Sequence, residues 1–329
     1  MTRRRGAVMC RLMRATALAG LAWVITMAAA SADTPAASVT RAGPWVLTNS
    51  TVVTSATGDQ GLTTVTDAGR AVTITRGFGS IAPDLAAQGW SHIGDPGSLG
   101  GSVLDAYQTD RPIGAKLFTL TTASGVRSDY LHHLVRGEMS NNSFAAVAPG
   151  GRWFVSGEWS TMTRLLVFPM PQPSAGAPAP ERTLPLATTI ALTHPVRNVQ
   201  GCAFTSSTSM ICSTNDYGTD LYPVPRQLLM VDLARPLDGR HVTGTPHLLG
   251  AVPSQALCPG PAGEVEGIDV HGDHMAVAVN APCGPNTQLF TYTLHRHGAA
   301  TAPRTTWTRP INPGPRVLPA RTTRKTRPS

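Results

Sequence analysis

The strongest constraint on this chain is a turn that comes round five times. Thr66–Gly69, Thr122–Gly125, Pro173–Gly176, Pro236–Gly239 and His295–Gly298 each end on glycine, and those glycines are 56, 51, 63 and 59 residues apart. An apolar or β-branched run precedes each turn: Leu62–Val65, Lys116–Thr121, Arg164–Phe168, Gln227–Leu233 and Gln288–Leu294. A strand-like run ending at a glycine, the residue that tolerates positive φ, is a hairpin signal. The spacing leaves room for four short strands per repeat, with the marker turn between the third and fourth. Composition agrees, because 32 Gly and 28 Pro in 329 residues suit many turns and few long helices.

Four-stranded units repeated in this way build a ring around a central channel. The expected fold is therefore all-β, a single β-propeller over residues 33–311. Five units fit between Trp45 and about Ile311, and the irregular first unit leaves room for a sixth. The clearest unit is Asn141–Pro169, with strands at Ser143–Val147, Arg152–Ser156 and Arg164–Phe168. Its segment AVAPGGRWFVS resembles the F-S-P-D-G-x-x-x-Y-V signature of bacterial propellers of the YVTN and gluconolactonase-like kinds, with Gly150 where those families carry Asp. The resemblance implies a propeller and no particular activity, since such a fold hosts many. Rings of this type close by mixing strands from both chain ends, which leaves no sheet edge exposed.

The two ends of the chain read differently from its body. Arg3, Arg4 and Arg5 precede an apolar segment, Ala15–Ala30, and then Ala30-Ser31-Ala32. That order is a signal peptide over residues 1–32, cleaved after Ala32, and it implies a secreted, extracellular protein. No later stretch reaches the ~18 apolar residues of a membrane span. Residues 312–329 are Pro-rich and basic and read as a disordered tail. The formal charge of +8 is misleading, because residues 1–32 and 299–329 carry twelve basic residues and no acid, which leaves 33–298 at −4. A mildly acidic body lacks the basic footprint that nucleic acid requires. Cys202, Cys212, Cys258 and Cys283 remain after trimming, an even number suited to two disulfides in an exported chain. Cys202 and Cys212 fall near-opposite on one hairpin, which leaves Cys258 to pair with Cys283.

In such a ring the inner strand's starting end and the second-to-third connection open on one face. That rule gathers His92 and Asp95, Asn141 and Asn142, Gln200, and Glu264 and Glu266 from inner strands. It gathers Gln108 and Asp110, Glu158 and Trp159, Asn215 and Asp216, and Asn280 from connections. The expected ligand site is the channel mouth, formed by His92, Asp95, Asn142, Glu158, Trp159, Asn215, Asp216, Glu266 and Asn280. Val265–Ile268 (VEGI) resembles the opening of gluconolactonase-like blades, whose Glu binds metal. The resemblance implies Ca²⁺ held by Glu266, with Glu158, Asn215 and Asn280 as further oxygen donors. Trp159 is the candidate for stacking on a sugar.

No G-x-S-x-G, H-E-x-x-H or P-loop motif is present, so common hydrolase and nucleotide signatures give no lead. Three readings stand. One is a monomeric propeller that binds a small molecule or partner without chemistry. The second is a Ca²⁺-dependent hydrolase or lactonase, and the third a module for glycan or another cell-envelope component. Protein recovered from culture medium should begin at Asp33 by mass spectrometry; an intact Met1 would refute the signal peptide.

Overall fold

The computed structural model describes residues 41–109, 113–139, 144–172, 182–253, 263–281 and 284–295. Among them the strands form five blades of an all-β propeller. Blade 1 has two strands, Gly61–Asp67 and Arg70–Arg76. Blade 2 runs from Gly97–Leu99, beside His92–Ile93, through Ser102–Gln108 and Ala115–Thr121 to Arg127–His133. Blade 3 is Ala146–Val147, Trp153–Ser156, Thr161–Pro169 and Thr188–Arg197. Blade 4 is Val199–Ser206, Ser209–Thr214, Gln227–Leu233 and Val242–Ala251. Blade 5 is Glu264–His271, His274–Asn280 and Asn286–Leu294. The innermost strands lie side by side in a closed ring, with that of blade 5 against that of blade 1.

The apolar runs follow from this stacking. A sheet covered on both faces needs continuous hydrophobic strands rather than alternating ones. In blade 3, Leu165 and Val167 pack toward blade 4 while Leu166 and Phe168 pack toward blade 2, so four consecutive residues are buried. The outermost strands of blades 3 and 4 also pair in parallel, Ile190 with Val242 through Leu192 with Gly244. Cys202 and Cys212 face each other in blade 4 at a Cα separation of 4.0 Å and form a disulfide. Cys258 and Cys283 lie outside the described residues, as do the signal peptide, the tail, Asn142 and Asp110. No helix among the described residues is long and apolar enough to cross a membrane.

One unit differs from its sequence reading. Trp45–Thr54 pairs antiparallel with Asn286–Leu294, from Trp45 opposite Leu294 to Thr54 opposite Asn286. It is the fourth strand of blade 5, so the two ends of the ring are joined by hydrogen bonds. Blade 1 keeps only its inner hairpin. The Thr66–Gly69 turn therefore connects first and second strands, whereas Thr122–Gly125 and Pro236–Gly239 connect third and fourth as expected. Gly69, Gly125 and Gly239 hold φ of 78°, 81° and 84°, which explains why these three markers end on glycine.

At the centre of the ring sits Asp95. Its side chain is not at the mouth, as the sequence suggested, but 1% exposed among all five blades. Leu62 N of blade 1 donates to Oδ1 at 2.9 Å, and Ile268 N of blade 5 donates to Oδ2 at 3.1 Å. Its backbone carbonyl accepts Ala145 N, leading into blade 3, at 2.9 Å. A methyl group at Gly61, Gly201 or Gly267 would overlap Asp95, so blades 1, 4 and 5 approach it on bare backbone. Burial pushes the Asp95 carboxyl well above the usual aspartate range, against the two N–H donors. Asp95→Asn should lower stability by about 1–3 kcal/mol, because an amide nitrogen would face a backbone N–H. Urea unfolding measures this, and an unchanged midpoint would remove Asp95 from its central role.

Candidate functional site

Above Asp95 the ring opens into a cavity of about 260 Å³ lined by Gln60, His92, Gln108, Trp159, Gln200, Glu264 and Glu266. Every blade contributes. Gln60, His92, Gln200, Glu264 and Glu266 stand at or near the starts of inner strands, and Gln108 and Trp159 at second-to-third connections. Three primary amides, an imidazole, two carboxyls and one half-buried indole thus surround the space, and no lysine or arginine lines it among the described residues.

A second layer holds the carboxyls. Asn215 Nδ2 donates to Glu264 Oε1 at 2.7 Å, and Gln200 Nε2 reaches the same oxygen at 3.3 Å. Asn280 Nδ2 donates to Glu266 Oε1 at 2.9 Å. The amide oxygens are spent elsewhere: Asn215 Oδ1 accepts Val265 N at 3.2 Å, and Asn280 Oδ1 accepts Glu264 N at 3.2 Å. Since a backbone N–H can bond only to the oxygen end, both amides necessarily turn nitrogen toward the glutamates. Burial, then repulsion from Glu264, Asp59 and Asp95, pushes the Glu266 carboxyl well above its ordinary range. Burial likewise raises Glu264, which Asn215 partly offsets.

The described residues expected at the mouth divide into four groups. His92, Trp159 and Glu266 line the cavity, and Asn215 and Asn280 stand behind it. Asp95 lies beneath, on the ring centre. Glu158 and Asp216 turn to other partners. Arg164 Nε meets Glu158 Oε2 at 2.9 Å, and Arg197 Nη1 meets Asp216 Oδ1 at 3.2 Å. Burial opposes ionisation of Glu158, yet Arg164 and the Met139 N–H hold it below the usual range.

The oxygen set inferred for Ca²⁺ is therefore not assembled. Glu158 belongs to Arg164, and Asn215 and Asn280 offer nitrogen where a hard cation needs oxygen. No group of three or more His, Cys, Asp or Glu placed to hold a metal occurs among the described residues.

The sequence reading misses Gln60, because it makes Leu62–Val65 a third strand rather than part of an inner one. A usable signal was present nonetheless. Gln60-Gly61, Gln200-Gly201 and Glu266-Gly267 each place a Gln or Glu before a glycine at or near the start of an inner strand, with the polar residue at the cavity and the glycine against Asp95.

No family model and no curated protein matches the sequence. Among solved structures, Myxococcus xanthus glutaminyl cyclase is similar at 11% identity and a TM-score of 0.43, over 76% of this chain and 97% of that one. Bacillus subtilis arabinanase Arb43A is similar at 14% identity and a TM-score of 0.35, over 77% and 94%. The β-propeller domain of the Trilobed protease from Pyrococcus furiosus gives 8% and 0.26, over 57% and 79%. No activity follows from likeness this distant, and the propeller assignment stands on the ring topology.

Glu266 also links the site to stability. A carboxyl raised in the folded state above its ordinary value of 4.5 binds more protons folded than unfolded, so stability falls as pH rises through that interval. Glu266→Gln removes this cost and can still accept from Asn280. The variant should melt a few degrees above wild type at pH 8, the gap closing as pH falls toward 4.5. A gap that widens on acidification would reverse the assignment.

Proposed function

We propose that this chain is a secreted propeller that binds one small, uncharged, polyhydroxylated ligand, a sugar unit, at the mouth of its ring. The observation that carries this reading is the lining of the cavity. An indole supplies a flat apolar face, and amides and carboxyls at its other walls supply donors and acceptors without fixed positive charge. A cavity of about 260 Å³ is of the order that suits one ring, since an apolar void of about 150 Å³ holds benzene. The second layer of Asn215 and Asn280 holds the carboxyls before any ligand arrives, which lowers the ordering cost of binding. Export is part of the same proposal. The Cys202–Cys212 disulfide supports an oxidising compartment, in agreement with the leader-like first 32 residues.

The carboxyls also set a charge preference. Glu264 and Glu266, with Asp59 close enough to act on both, would repel an anionic ligand. Calorimetric titration with neutral monosaccharides and their uronic acids tests both points. A neutral sugar should bind, its uronic acid more weakly, and Trp159→Ala should weaken binding by roughly tenfold, the equivalent of about 1.4 kcal/mol. Tighter binding of the uronic acid, or indifference to Trp159→Ala, would overturn the reading.

A further inference from the structure

Away from the cavity, between blades 2 and 3, lies a buried ionic cluster that the proposed site does not itself use. Lys116 and Glu138 have fully buried side chains, with Nζ 2.8 Å from Oε1. Glu138 Oε2 meets His132 Nε2 at 2.9 Å and accepts Val135 N at 3.2 Å, while the other ring nitrogen of His132 lies 2.9 Å from Leu184 O. Lys116 Nζ also donates to the carbonyl of Gly157 at 3.1 Å. Gly157 precedes Glu158 and Trp159 in the connection that carries the indole to the cavity.

The contacts tie two loops together. Segment 134–139 is held at Val135 N by Glu138, at Gly137 O by Arg164 (3.2 Å) and at Met139 N by Glu158 (2.8 Å). The connection 157–160 is held at Gly157 O by Lys116, at Glu158 by Arg164, and at Ser160 O by Asn198 N at 3.1 Å. Trp159 therefore has fixed neighbours on both sides, and Ser160 is kept at φ 65°, a left-handed conformation costly for a non-glycine residue. Burial pulls the Lys116 amine below its ordinary range against the attraction of Glu138, while His132 and Lys116 outweigh burial at Glu138 and hold it at about 2.

Such a cluster gains little stability over apolar side chains of similar size, because desolvating the charges consumes most of their attraction. What apolar side chains could not supply is a donor for the Gly157 carbonyl and an anchor for segment 134–139. We propose that Lys116 and Glu138 are positioning residues for the ligand cavity, acting through the Gly157 carbonyl to set the place of Trp159. Its consequence for affinity rests on the sugar-binding reading; the placement of Trp159 does not.

The test uses full-length mature protein labelled with 5-fluorotryptophan, the Trp159 ¹⁹F resonance being assigned with Trp159→Phe. Lys116→Met should shift or broaden that resonance and lower the melting temperature. Lys116→Met/Glu138→Leu, which removes both charges, should regain most of the melting temperature while the resonance stays displaced and neutral-sugar affinity stays about tenfold down. Leu229→Ala, a blade 4 core variant of comparable instability, should leave the resonance in place. Should the lysine variants fail to fold, Glu138→Gln, which keeps the side chain's size, gives the same reading. A Trp159 resonance unmoved in the folded variants, or moved equally by Leu229→Ala, overturns the proposal. If wild type binds no sugar, the sugar reading fails while the resonance still decides this one.

Discussion

A single carboxyl at the centre of the ring organises the rest of the structure. Asp95 accepts backbone N–H groups from blades 1 and 5 through its two oxygens and meets blade 3 through its own backbone. Hydrogen bonds converging from three blades act as spokes, because each is short and directional and none can lengthen without loss. Gly61, Gly201 and Gly267 make that geometry possible by letting three inner strands close on the side chain without Cβ atoms. The cost is a buried acid, and the return is a floor for the cavity above it.

That floor explains the arrangement of the site. The residue before each of those glycines points to the mouth, so Gln60, Gln200 and Glu266 are placed by the packing that surrounds Asp95. Asn215 and Asn280 complete the order from outside, each bridging a glutamate and a backbone N–H. Carboxyls held so close to one another, with Asp59 nearby, are destabilising, and such strain is common where a site is shaped for a ligand. Neutral amides, Asn215 and Asn280, hold these carboxyls in place.

Ring closure works on a different scale. Trp45–Thr54 spans the outside of blade 5 and ties the first described residues to the last. Blade 1 can then remain a hairpin, because its neighbours already enclose its inner strand. The Cys202–Cys212 bridge, by contrast, closes a local hairpin, and its contribution is confined to blade 4.

Local features were legible in the residues alone. Glycine-ended turns, continuous apolar strands and two cysteines across a ten-residue hairpin are short-range patterns, and the chain's repeat made the propeller readable from them. The rule that inner-strand starts and second-to-third connections share one face brought His92, Trp159 and Glu266 to the cavity. Tertiary structure alone decided the rest. It sent Trp45–Thr54 to the last blade, drew Asp95 inward to Ile268 across 173 residues, and turned Glu158 away from the mouth to Arg164. A carboxylate goes where a partner compensates its burial, and a strand goes where an edge is open. Both depend on residues far away in the chain, which no local pattern encodes.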